Sequence, residues 1–114
     1  MKEAADKTNK QAGDGTTTTI TLLYGIANEG QRYIRAGVNP FALSKGLHKG
    51  VNKIIEELQK KSTPVSNKEE IKQVASISAQ DEQVGQLIAD IIDEVGKDGV
   101  ISVEEGKSMG LTKE

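Results

Sequence analysis

The 114-residue sequence predicts a mostly α-helical chain with one short β element. Three observations carry that prediction. Apolar residues recur at spacings of three and four along most of the chain, the period of a helix. The breaks between those runs hold Gly, Asn, Asp and Pro, the residues that cap and stop helices. Only Val100-Ile101-Ser102-Val103 reads as a strand, and acidic residues follow it directly.

Residues 2–11 suit a helix with little apolar face and read as the last turns of a longer one. The step Ala12-Gly13-Asp14-Gly15 breaks it, and Asp14 or Thr16 is placed to cap the next helix. From Thr17 to about Ala36, residues Ile20, Leu23, Ile26, Ala27, Tyr33 and Ile34 make a helical stripe. A threonine run favours strand by local propensity, so the periodicity outweighs it here. Gly37 suits the C-terminus of this helix, and Asn39-Pro40 either turns the chain or opens the next helix. Residues 41–60 set Leu43, Leu47, Val51, Ile54, Ile55 and Leu58 on one face, the clearest helix of the chain. Gly46 and Gly50 lie on a neighbouring stripe, where each costs about 1 kcal/mol relative to Ala. Two explanations stand for them, a close crossing with another helix or tolerance on a solvated face.

The polar stretch from Lys60 to Ser66, with Pro64 inside it, is a linker and a candidate domain boundary. Ser66 or Asn67 caps a further helix, with Glu69 and Glu70 near its positive end. That helix is expected to bury Ile71, Val74 and Ala75, with Ser78 at the margin. Asp81 opens a last helix with Val84, Leu87, Ile88, Ile91 and Val95 inward, and Gly96-Lys97-Asp98-Gly99 stops it.

Composition narrows the classes. The formal net charge is −2, which gives no global attraction to nucleic acid or anionic membrane. With no cysteine the chain has no disulfide, no thiolate nucleophile and no Cys-based zinc site. No apolar run approaches the roughly 20 residues of a membrane-spanning helix, and the charged start is unlike a signal peptide. Tyr24, Tyr33 and Phe41 are the only aromatic residues, so the core is thin and calls for further surfaces to pack against.

The segment Gly13-Asp14-Gly15-Thr16-Thr17-Thr18-Thr19 carries the chemistry. Glycine lets backbone approach a ligand closely, and a helix N-terminus offers unpaired N–H groups and partial positive charge. Asp14 is a hard oxygen ligand of the kind Mg²⁺ takes when it arrives on a nucleotide. Residue physics leaves two readings open, a phosphate or metal site and an ordinary turn before a capped helix. The four threonines tilt toward phosphate, because hydroxyls and N–H groups both donate to its oxygens whereas a turn needs one cap.

Other sites are not supported. The chain has no G-x-x-x-x-G-K-[ST] and no G-x-G-x-x-G after a strand. His48, the one histidine, stands between Leu47 and Lys49 without an acidic or cysteine neighbour. No nucleophile elbow is present. Asp98, Glu104 and Glu105 border the short strand without aromatic residues for a sugar platform, and read as a solvated edge.

Four blocks together resemble one family. Ala12-Gly13-Asp14-Gly15-Thr16-Thr17-Thr18 resembles the signature of the group I chaperonins, the GroEL family. Glu29-Gly30 followed by Ala36-Gly37-Val38-Asn39-Pro40 is similar to that family's EG…AGMNP segment. Gln73-Val74-Ala75-Ser76-Ile77-Ser78-Ala79 is similar to QVGTISAN, and Val95 to Glu104 to VGKEGVITVE. The blocks keep the family's order and spacing across nearly the whole chain.

The resemblance implies an internal portion of a longer subunit. Residues 1–61 would belong to the helical equatorial, ATP-binding domain and residues 62–114 to the ascending half of the intermediate domain, with the Pro64 linker as hinge. It implies ATP and Mg²⁺ as cofactors, with Asp14 on the Mg²⁺ and Gly15, Thr16, Thr17 and Thr18 on the phosphates. It further implies a cytoplasmic, homo-oligomeric double heptameric ring that encapsulates non-native protein substrates, with a co-chaperonin, through an apical domain beyond these residues. Catalytic residues would stand on other segments, so this stretch alone is expected to be inactive. The rival reading is a helical scaffold or interaction module without nucleotide chemistry, which the thin core and mid-helix glycines also suit.

Overall fold

The computed structural model describes residues 1–96, and in them the chain forms five helices: α1 (Lys2–Ala12), α2 (Thr16–Arg35), α3 (Pro40–Lys61), α4 (Lys68–Ala79) and α5 (Glu82–Val95). The helical class is therefore as expected. The strand expected at Val100–Val103 and the acidic residues Asp98, Glu104 and Glu105 lie outside the described residues. The chain divides into two compact units, Met1–Ser62 and a second that begins at Thr63.

In the first unit α1 packs on α2 through small side chains. Ala4, Ala5 and Thr8 of α1 and Thr19 and Leu23 of α2 are half-buried, while the rest of both helices is largely exposed. The end of α2 is set by Gly37, whose φ of 93° is open to glycine at little cost. There the Gly37 N–H donates to Ile34 O (3.0 Å) and the Val38 N–H to Tyr33 O (3.0 Å), satisfying carbonyls of the last turn. Asn39 then caps α3, its Oδ1 accepting from the N–H of Phe41 (2.8 Å) and Ala42 (3.4 Å), with Pro40 in the first helical position. Of the two options for Asn39-Pro40, the helix start is the one adopted.

The polar side of α3 is laced by ion pairs. Lys60 Nζ reaches Glu56 (2.9 Å) and Glu57 (3.1 Å), and Lys53 reaches the same two carboxylates. Such exposed pairs are worth a few tenths of a kcal/mol each. Apart from the half-buried Leu23 and Leu43, the apolar stripes of α2 and α3 stay largely uncovered: Ile54 is 60% and Leu58 61% exposed. Gly46 and Gly50 have no other group within 4 Å of where a Cβ would stand, so within this unit no helix crosses them closely. Gly30 does meet a neighbour, its Cβ position lying 3.8 Å from Leu43 Cδ2.

The second unit is a helical hairpin. Asn67 caps α4 by accepting from the Glu70 N–H (2.9 Å), and Glu70 Oε2 accepts in return from the N–H (2.8 Å) and hydroxyl (3.1 Å) of Ser66. Both residues named as cap candidates thus take part. Gln80, at φ 55°, turns the chain, and Asp81 caps α5 by accepting from the N–H of Gln83 (2.8 Å) and Val84 (3.1 Å). Lys68 of α4 pairs with Asp90 of α5 at 2.7 Å, and Lys72 with Glu82 at 3.4 Å.

The hairpin's seam differs from the expected one. Gly85 and Ala89 of α5 are its buried centre, facing the half-buried Ala75 and Ser76. Val74 and Val95, expected inside, are each 54% exposed, and Ser78 is exposed as well. Gly85 lets α4 approach through its small Ala75–Ser76 face, which turns Val74 and Ser78 away. The remaining inward expectations for α5 hold, since Val84, Leu87, Ile88 and Ile91 are all half-buried. Among the described residues no helix is long and apolar enough to cross a membrane.

Candidate functional site at the junction of α1 and α2

The segment singled out by its chemistry forms the joint between α1 and α2. Gly13 ends α1 in the left-handed region (φ 71°), its N–H donating to Asn9 O at 3.0 Å. Gly15 begins α2, also left-handed at φ 84°. Two left-handed glycines flanking Asp14 turn the chain within three residues, and both positions suit glycine because a β-carbon is strained there.

Neither Asp14 nor Thr16 is the N-cap of α2; Gly15 is, with no side-chain cap bond. A capping Asp or Thr would need extended backbone, which the left-handed turn denies. Asp14 instead uses Oδ1 to accept the N–H of Gly15 at 2.6 Å. The carboxylate is thereby fixed at the mouth of the turn, on an exposed residue.

The first backbone bond of α2 runs from the Thr19 N–H to Gly15 O at 2.9 Å. The N–H groups of Thr16, Thr17 and Thr18 precede it, so helix geometry gives them no acceptor within α2. Thr16 is half-buried, and Thr17 and Thr18 are exposed. Three N–H groups, their hydroxyls and the positive end of a 20-residue helix make an anion-attracting surface. Asp14 beside them would repel a bare anion. The pairing makes chemical sense for an anion that brings its own divalent cation, the phosphate supplying further oxygens to the metal. Among the described residues no group of three His, Cys, Asp or Glu side chains gathers to hold a metal unaided.

Sequence reasoning missed Thr8 altogether and read Thr19 only as one of the four phosphate-side threonines, not as part of this joint. Thr8 Oγ1 and Thr19 Oγ1 lie 2.9 Å apart, linking α1 to α2 across the turn. The signal was present: Thr8 falls four residues after Ala4, and Thr19 four before Leu23, so both stand in the inward rows of their helices.

Elsewhere the chemistry is sparse. A cleft of about 410 Å³ lined by residues including Lys72, Ser76 and Glu82, and another of about 220 Å³ beside Asn67 and Ala89, both belong to the second unit. His48 is exposed on α3. The model of the TCP-1/cpn60 chaperonin family matches residues 1–110, which include the whole joint.

Proposed function

The chain belongs to the TCP-1/cpn60 chaperonin family, which acts in protein folding and generally binds and hydrolyses ATP with Mg²⁺, and from that premise we propose that the α1–α2 joint is its contact with the phosphates of Mg-ATP. The observation that carries the reading is the placement of Asp14 between two left-handed glycines at the positive end of α2. Asp14 would take the Mg²⁺. Gly15, Thr16, Thr17 and Thr18 would hold phosphate oxygens through N–H groups and hydroxyls. When bound, the ion and nucleotide supply the phosphoryl chemistry; this segment binds, orients and balances charge.

We assign the chain, more finely, to the group I branch. Residues 1–61 are read as part of the equatorial domain and residues 62–114 as the ascending half of the intermediate domain. The chain's own division after Ser62 favours that boundary. Nucleotide turnover at the joint would then shift the second unit relative to the first, in a cytoplasmic homo-oligomeric ring that encloses non-native chains with a co-chaperonin. The uncovered stripes of α2 and α3 suit a member of a larger assembly, and they are also what a scaffold without nucleotide chemistry would show.

One experiment separates the two readings. ATPase activity and assisted refolding are measured on the intact parent protein with and without Asp14→Ala. Loss of both supports the Mg-ATP assignment, and unchanged activity removes it in favour of the scaffold.

A further inference from the structure

We propose that Thr8 and Thr19 are positioning residues for the phosphate-contacting turn, an inference that rests on the Mg-ATP reading and deepens it. Thr8 stands on α1 and Thr19 on α2, eleven residues apart in sequence, and their hydroxyl oxygens meet at 2.9 Å in a half-buried seam. The whole Gly13-Asp14-Gly15 turn and the three leading threonines lie between these two residues.

The link is retained by proton accounting. Thr8 Oγ1 also lies 3.0 Å from Ala4 O, and Thr19 Oγ1 lies 3.0 Å from Gly15 O. Two hydroxyls carry two protons, and three contacts compete for them. If Thr19 donates to Gly15 O, Thr8 is able to donate to Thr19. If Thr8 donates to Ala4 O, Thr19 is able to donate to Thr8. Only the arrangement with both donating to carbonyls leaves two oxygens 2.9 Å apart without a proton between them, and that one is electrostatically the poorest. Each of the better arrangements ties α1 to the first turn of α2.

What is tied is the part that would hold the ligand. Gly15 O is both the acceptor for Thr19 Oγ1 and the end of the first backbone bond of α2. The Cβ position of Gly15 lies 4.0 Å from Thr8 Cγ2, so the same threonine packs its methyl under the turn. Thr8 and Thr19 touch no ligand in this scheme. They fix where the N–H groups of Thr16, Thr17 and Thr18 point, and small errors in such positioning weaken binding.

The test uses the 114-residue chain with Thr8→Val, Thr19→Val, Thr19→Ser and Asp14→Asn. Valine keeps shape and β-branching while removing the hydroxyl, and serine restores it. Amide exchange is followed by NMR, and Mg-ATP is titrated on the same samples. The proposal expects faster exchange at positions 19–21, the first amides bonded in α2, in both valine variants with no change near the C-terminal end of α2. It also expects Mg-ATP affinity to fall about three- to ten-fold, as loss of one hydrogen bond would give, with recovery in Thr19→Ser. Unchanged local exchange overturns the proposal. Binding that Asp14→Asn weakens and Thr19→Val leaves intact overturns the positioning pair alone. A wild-type chain that shows no shift with millimolar Mg-ATP overturns the positioning role in ligand binding, while the site reading stands or falls with Asp14→Ala in the intact protein.

Discussion

Gly85 of α5 lies so close against Ser76 of α4 that a β-carbon added at Gly85 would stand 2.7 Å from the Ser76 amide nitrogen and 2.8 Å from its Cα. Both approaches involve backbone, which cannot rotate aside as a side chain can. Gly85→Ala is therefore expected to push the helices apart and destabilise the hairpin by about 1–3 kcal/mol, the usual range for overpacking. Trimming Ser76 to Gly would not rescue the variant, because the obstructing atoms remain. Urea unfolding of the single and double variants checks this; a Gly85→Ala midpoint equal to wild type would contradict the close crossing. Ser76 Oγ is itself buried without a hydrogen-bond partner among the described residues, so Ser76→Ala alone should be neutral or slightly stabilising.

That crossing marks the limit of what the sequence disclosed. Helix ends were legible because their chemistry is local: Asn39-Pro40, Gly37, Asn67 and Asp81 each act on backbone within a few residues. Facing residues were less legible, since they depend on the partner. The periodicity of α4 favours Val74 inside, yet the absence of a side chain at Gly85 draws in Ala75 and Ser76. The candidate site divides the same way. Asp14 and the threonines are conspicuous as a motif, whereas the Thr8–Thr19 bond joins the last threonine of that run to an unremarkable hydroxyl on α1, a pairing that only the fold makes. The capping role expected of Asp14 or Thr16 failed because the left-handed backbone of Gly15 takes that position.

The Lys68–Asp90 pair predicts a change at high pH. Its hydrogen bond to Asp90 holds the Lys68 ammonium above the usual lysine range, against a smaller opposing effect of desolvation. A raised pKa means that the folded state binds this proton more tightly than the unfolded state. The stabilisation is then fully present below the unfolded lysine pKa, and it is lost as pH rises through the folded value. Denaturation midpoints should therefore show no Lys68-dependent change across neutral pH, with a small decline at strongly alkaline pH. Lys68→Met should remove the part of that decline due to this pair. Because the pair is solvent-exposed the effect is small, and identical alkaline profiles for both proteins would show that the pair contributes nothing.

The uncovered stripes of α2 and α3 predict self-association. Ile54 and Leu58 stand in line with Leu47 and Val51 along α3, all at least two-fifths exposed. Contiguous apolar surface of this kind associates in water. Light scattering of the chain should give a mass that rises with concentration, and Ile54→Glu with Leu58→Glu should lower it toward the monomer. A single monomeric mass across the concentration range, unaltered by the two substitutions, would count against this expectation.

At Asp14 two contributions are separable by substitution. Its Oδ1 accepts the Gly15 N–H at 2.6 Å, a structural duty that an asparagine oxygen is able to perform. Its charge is what a divalent cation would require, and asparagine lacks it. Asp14→Asn should accordingly keep the stability of the α1–α2 pair nearly unchanged, while Asp14→Ala loses about 0.5–1.5 kcal/mol for one missing hydrogen bond. Mg-ATP binding should fall in both variants by about ten-fold or more, equivalent to at least about 1.4 kcal/mol. Binding of ATP without Mg²⁺ should not fall, because removal of the carboxylate also removes its repulsion of the phosphates. Isothermal titration with and without Mg²⁺, paired with thermal unfolding, reads both effects. Should Asp14→Asn bind Mg-ATP as wild type does, the carboxylate would serve the turn alone, and the metal would have to be held by other groups.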